Sequence, residues 1–227
     1  MQPSAAFVEI PRDFLSRIAT DSERIPKLYY VPFWSVRRFF WMRLRLLFRL
    51  MRRWSPRAKT CLDFGGGGGV FLPTLCRAFE QVVCIDLETS EASEVRQEFR
   101  LDNLRLVQGD ITTTELPEAP FDVIVAADVL EHFPDLSMPV DALKRWIAQD
   151  GELYTSLPTE NGLYVGLRRV FGITKPADHY HTGAEVESFL ERSGFARVAR
   201  LHVPLHWKIF PLFLVSVWRL QHRSSQP

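Results

Sequence analysis

Asp63 and the five consecutive glycines from Gly65 to Gly69 form the stretch of this chain best suited to hold a ligand. Glycine has no Cβ, so such a run can take positive φ and let a bound group lie against bare backbone, while the N–H groups of a following helix point at it. A second carboxylate, Asp86, falls about 20 residues beyond the glycines, where an acid at the tip of the next strand can accept the hydroxyls of a ribose. Three histidines are candidates for moving a proton or contacting a substrate: His132, in Asp128-Val129-Leu130-Glu131-His132, and His179 and His181, which flank Tyr180. Each group has a plainer alternative, since a strand-end Asp also caps helices and turns and a histidine also makes structural hydrogen bonds.

Spacing narrows the ligand. A dinucleotide fingerprint, G-x-G-x-x-G/A, started at Gly65, Gly66 or Gly67 puts its last position on Val70, Phe71 or Leu72, so a nicotinamide cofactor fails in every register. A phosphate P-loop needs a second glycine and a lysine that are not there. A glycine-rich linker is the remaining plain reading, and the apolar runs on both sides argue against it.

The elements that must position these residues are legible around them. Thr60, Cys61, Leu62 and Phe64 read as a buried strand, and Val70 to Phe79 as a helix with Pro73 in its opening turn. Gln81–Asp86, Asn103–Gln108, Phe121–Ala127 and Glu152–Leu157 are further buried strands. Helices are expected over Glu88–Arg100, Met138–Ile147 and Thr182–Arg192, the last opened by a Thr182/Glu185 capping box and closed by Gly194. Asp150-Gly151 reads as a turn. Phe195–Val203 and Phe210–Leu220 read as two last strands joined at Pro204. The unbroken strand–helix alternation predicts an α/β fold with a doubly wound, mainly parallel sheet.

Asp63-x-Gly65-x-Gly67-x-Gly69 resembles motif I of the class I S-adenosylmethionine-dependent methyltransferases, and FDVIVAADVLEHF resembles the post-strand motif of their small-molecule branch. The resemblance covers Thr60 to about Arg219. It implies a Rossmann-like seven-stranded sheet whose last strands form an antiparallel pair. It also implies S-adenosylmethionine as cofactor, with S-adenosylhomocysteine as product, held by Asp63, Phe64, Gly65, Gly66, Gly67, Asp86, Leu87, Asp110, Ile111 and Ala127. Asp110 would meet the adenine amino group, Ile111 would pack on the ring, and the backbone after Ala127 would face the methionine end. His179 and His132 are the candidate catalytic bases. Asp128-x-x-Glu131-His132 also resembles the acidic-histidine cluster of a few metal-assisted members of the superfamily, but strings of this kind are frequent without metal, and no metal ligand is assigned.

The chain has 227 residues, 46% of them hydrophobic, enough for one α/β domain with an extension. Residues 1–57 are expected to form a helical extension, 58–220 the cofactor-binding domain with a substrate-side insert at 158–180, and 221–227 a tail. The formal net charge of +1 conceals an asymmetry: no acidic residue lies between Glu23 and Asp63, where Arg37, Arg38, Arg43, Arg45, Arg49, Arg52, Arg53 and Arg57 fall. From Ser35 to Trp54, Phe40, Leu44, Leu47, Met51 and Trp54 form an apolar stripe opposite Arg38, Arg45, Arg49 and Arg52; Arg43 sits in the apolar sector and fits neither face. Such a helix either packs on the core or lies on an anionic membrane surface. Nucleic acid is not expected, because there is no second basic patch. Cys61, Cys76 and Cys84 form no C-x-x-C pair and read as reduced thiols. No leader or membrane span is legible, so the expected place is the cytoplasm, with the inner face of the membrane as the peripheral alternative. The acceptor expected is a small or lipid-linked molecule, and a binding or scaffold protein without turnover is the competing reading.

Overall fold

A computed structural model describes residues 1–2, 5–19, 24–159, 179–204 and 211–221. Seven strands form one sheet: β1 (Thr60–Phe64), β2 (Gln81–Asp86), β3 (Leu104–Gln108), β4 (Phe121–Ala127), β5 (Ile147–Pro158), β6 (Phe195–Val203) and β7 (Phe213–Leu220). Their order is β3-β2-β1-β4-β5-β7-β6. The first five run parallel, and β7 is antiparallel to both of its neighbours. Strand burial explains why β7 lies inside β6: six successive residues from Phe213 to Trp218 are buried, whereas β6 buries only its end residues, Phe195 and Val203, and leaves those between them partly or fully accessible, as an edge strand does.

The helices are α1 (Arg12–Ile18), α2 (Trp34–Trp54), α3 (Leu72–Ala78), α4 (Ser90–Phe99), α5 (Ser137–Trp146) and α6 (Gly183–Arg192). Alternation along the strands divides the core in two. Cys61, Val82, Cys84, Val123 and Tyr154 face α2, α3 and α4, while Leu62, Phe64, Val83, Ile124 and Leu153 face α5 and α6. The capping box of α6 is formed: Thr182 Oγ1 accepts from Glu185 N at 3.3 Å, and Glu185 Oε2 accepts from Thr182 N at 2.7 Å. Asp150-Gly151 is not a turn between elements. β5 runs through it, and an irregularity in the β4–β5 ladder absorbs the extra residues, since Phe121 pairs with Ile147 but Val123 with Glu152. The first core helix begins at Leu72 rather than Val70 because a turn occupies Val70 and Phe71.

Helix α2 packs on β5 and β7. Phe40, Leu44, Leu47 and Met51 are buried, and Arg38, Arg45, Arg49 and Arg52 remain exposed, as the stripe predicts. Trp41 and Phe48 on its flank are covered by the N-terminal segment: the Phe7 ring lies 6.0 Å from Trp41 and 6.2 Å from Phe48. At its C-terminal end Ser55 Oγ donates to Glu152 Oε2 at 2.6 Å. The apolar stripe is therefore spent on the protein core, and α2 belongs to the same hydrophobic cluster as the sheet. No described helix is long and apolar enough to cross a membrane.

Candidate functional site

The strand order reverses between β1 and β4, and the loops leaving their C-terminal ends meet there. Beyond β1 the chain turns through Gly65 (φ 69°) and Gly67 (φ 52°), a left-handed backbone that side chains rarely take. Gly66 is required by space: a Cβ there would come within 2.6 Å of Cys84 Sγ and 2.7 Å of Asp63 Oδ2. Asp86, at the tip of β2, fastens the loop, its Oδ2 accepting from Gly67 N at 2.8 Å. Its other oxygen accepts from Arg24 Nη1 at 2.6 Å, and Arg24 also pairs with Glu88 at 3.3 Å. The Arg24 carbonyl accepts from Gly68 N at 3.3 Å, so the N-terminal segment lies directly over the glycine loop.

Below the loop, Asp63 is 4% exposed. Burial, and then the charge of Asp86, pushes its carboxyl up to about 7. Opposite, Asp128 follows β4 in a left-handed conformation (φ 54°), an uncommon one for a residue with a side chain and of the kind found at functional sites. Its carboxylate meets Nη1 of Arg43, which is 3% exposed. Arg43 Nη2 donates to Tyr29 Oη at 2.7 Å, and the guanidinium lies 4.3 Å from the Phe40 ring centroid and 5.1 Å from that of Phe213. Burial raises the Asp128 carboxyl, while Arg43, His132 and His179 draw it down.

These groups enclose a cavity. Asp63, Gly65, Gly66, Gly67 and Ala127, all expected from the sequence, line one part of it, and Arg24, Tyr29, Arg43 and Asp128 are among the residues that line the rest. Phe64 turns its side chain to the opposite face, 6.0 Å from the Trp146 ring, so only its backbone can reach the cavity. Asp86 stands beside the cavity through Gly67 and Arg24, and Leu87 is 64% exposed. Asp110 and Ile111 do not line the cavity. Asp110 Oδ1 accepts from Thr112 N and Oγ1, each at 2.7 Å, which holds its carboxyl below the usual range, and Ile111 is buried on the α5 side of the sheet.

His132 and His179 come together with ring centroids 4.5 Å apart and planes at 86°. Glu131, in the turn Leu130–His132, is fully buried beside them, and its carbonyl accepts from Tyr180 N at 2.9 Å. His181 lies apart, with Nε2 3.3 Å from Pro134 O. Most of the expected substrate-side insert, 160–178, falls outside the described residues. Sequence reasoning missed Arg24, Tyr29 and Arg43 as cavity residues. The available signal was Arg43 itself, a lone arginine in an apolar helical sector, which needs a buried partner.

Residues 62–155 match a family described as a methyltransferase domain. A probable S-adenosylmethionine-dependent methyltransferase of Mycobacterium tuberculosis is 26% identical over 177 residues, covering 74% of this chain and 60% of the relative. A ubiquinone biosynthesis O-methyltransferase of Sodalis glossinidius is 29% identical over 121 residues, 52% of this chain and 49% of the relative. The chain thus spans about half to three fifths of the length of such relatives. Among solved structures, the N-methyltransferase NodS of Bradyrhizobium japonicum, in complex with S-adenosylhomocysteine, superposes with a TM-score of 0.68 at 18% identity, over 92% of this chain and 99% of that one. That likeness is one of fold.

Proposed function

We propose that this chain, whose residues 62–155 match a methyltransferase domain, is a class I S-adenosylmethionine-dependent methyltransferase that moves a methyl group to a small-molecule or lipid-linked acceptor. The observation that carries the reading is the cavity at the β1/β4 switch point, lined by Gly65 to Gly67, Arg43 and Asp128, with Asp86 hydrogen-bonded to Gly67 beside it. A nucleoside carrying an amino-acid tail fits that donor set. Bare glycine backbone admits a close approach, Asp86 accepts ribose hydroxyls, and Arg43 with Asp63 and Asp128 offers both signs of charge to a carboxylate and an ammonium.

The bound cofactor supplies an electrophilic sulfonium methyl. The chain therefore has to orient the acceptor and exclude water, and orientation of that kind can supply roughly 7 to 11 kcal/mol of a barrier. Tyr29 and Arg43 close the cavity from the N-terminal side, and the buried apolar residues of α2 behind them exclude water. His132 and His179, beside Asp128, are the groups that could take a proton from an acceptor. The test is titration calorimetry with S-adenosylmethionine and S-adenosylhomocysteine, followed by mass spectrometry for a methylated product in cells with and without the gene. Binding of both and appearance of the product support the proposal; a response to a nicotinamide cofactor instead overturns it.

A second reading, attachment to an anionic membrane surface, now rests on the start of α2, where Phe33 and Trp34 are 65% and 67% exposed near Arg37 and Arg38. It predicts salt-sensitive sedimentation with vesicles containing phosphatidylserine, lost in Trp34→Ala. Equal pelleting with neutral vesicles, or none, leaves α2 a packing helix.

A further inference from the structure

We propose that Glu131, His132 and His179 bind a divalent transition-metal ion beside the acceptor side of the cavity. One ligand-capable atom from each of the three residues lies within 4.8 Å of the others. Donors around an ion at 2.0–2.2 Å stand about 3 to 3.5 Å apart, so side-chain rotations of about 1 Å complete the set. The crossed arrangement of the imidazole planes, at 86°, lets two ring nitrogens converge on one point without the rings stacking.

The backbone organises the set. Glu131 and His132 lie in the turn that follows β4, while His179 arrives on a separate segment held against that turn, with Tyr180 N and His181 N donating to Glu131 O at 2.9 and 3.4 Å. A fully buried carboxylate facing two imidazoles suits a doubly charged ion, which one carboxylate and two neutral imidazoles bind while positions stay open for exogenous oxygen. Two imidazole donors favour zinc or iron over magnesium, calcium or manganese. Asp128 links the set to the cavity: it lines the cavity wall and lies three residues before Glu131 in the same segment after β4.

The role of the ion rests on the methyl transfer proposed above and replaces the proton-accepting role given there to His132 and His179, whose ring nitrogens the ion would occupy. An ion at this place lowers the pKa of an acceptor hydroxyl that reaches it. The hydroxyl oxygen then forms the O–C bond as the S–C bond breaks with its electron pair left on sulfur, and the hydroxyl proton passes to water. The acceptor class is therefore a hydroxylated molecule, and the transfer an O-methylation.

The experiment uses the full chain stripped with chelator and titrated with cobalt(II), followed by visible absorption and calorimetry. The expected result is one equivalent bound, with d–d bands of a nitrogen–oxygen site. His179→Ala and Glu131→Gln should weaken uptake at least a hundredfold, while His181→Ala leaves it unchanged. Circular dichroism and S-adenosylhomocysteine affinity establish that each variant is folded. Absent or non-stoichiometric uptake, or equal losses in His179→Ala and His181→Ala, overturns the site. Failure of cofactor binding with cobalt uptake intact would instead refute the methyltransferase reading and leave the metal site standing. Catechol, added as a hydroxylated probe, should shift the cobalt bands in the native chain and not in His179→Ala; an unchanged native spectrum overturns the acceptor assignment.

Discussion

Arg24 occupies the carboxylate that a ribose would need, so removing its side chain should tighten cofactor binding. Asp86 has two oxygens: one holds Gly67 N at 2.8 Å and the other holds Arg24 Nη1 at 2.6 Å. A ribose must displace Arg24, and the cost depends on how well that pair is shielded. The Arg24 and Asp86 side chains are 30% and 15% exposed, between a surface ion pair, worth about 0.2–1 kcal/mol, and a buried charged hydrogen bond, worth about 1.5–3 kcal/mol. A net cost of about 1 kcal/mol corresponds to roughly a fivefold change in Kd. Titration calorimetry with S-adenosylhomocysteine should show Arg24→Ala binding about fivefold more tightly. Asp86→Ala, which loses the ribose acceptor, should bind at least tenfold more weakly. In the Asp86→Ala background the gain from Arg24→Ala should vanish, because the contact it relieves is no longer there. Weaker binding by Arg24→Ala alone, or an undiminished gain in the double variant, would refute the displacement argument and make Arg24 a cofactor ligand.

Three further outcomes follow from the buried charges and the cap. Asp63 is held near 7 against an ordinary carboxylate value of 3.8, so its stabilising contribution is present in acid and is lost as pH rises through 7. A cationic ligand beside it favours the carboxylate, so cofactor binding at about pH 6 should release a large fraction of a proton, fading above about pH 8; calorimetry in buffers of different ionisation enthalpy reads this, and Asp63→Asn should abolish it. Arg43→Met leaves Asp128 without its buried cation and should cost about 3–5 kcal/mol in urea unfolding, with Arg43→Met/Asp128→Asn recovering part of the loss. Thr182→Ala, which removes the hydroxyl of the α6 capping box, should cost about 1 kcal/mol in the same assay without altering cofactor affinity.

What the sequence determined by itself is local chemistry and periodicity. Short uninterrupted apolar runs bounded by turn residues read as strands buried on both faces, so β2 and β4 are legible to the residue. Five glycines between a strand and a helix specify a bare loop, whatever surrounds them. The arginine stripe of α2 and the Thr182 cap are likewise properties of a single helix, visible in the spacing of its own residues.

Partnership between distant segments was decided by the tertiary structure alone. Periodicity says which face of a helix is apolar but not what will cover it, so only packing on β5 and β7 settled where the stripe of α2 goes. Arg43 is an anomaly in its own helix, and it becomes intelligible once the fold brings Asp128, 85 residues away, to its guanidinium. The histidines follow the same rule: His132 and His179 are ordinary residues along the chain, and backbone hydrogen bonds from Tyr180 and His181 to Glu131 bring them together. Arg24 over Asp86 had no sequence signal at all, because a long side chain reaches its partner through space, and nothing in its immediate neighbours records where the chain will fold back.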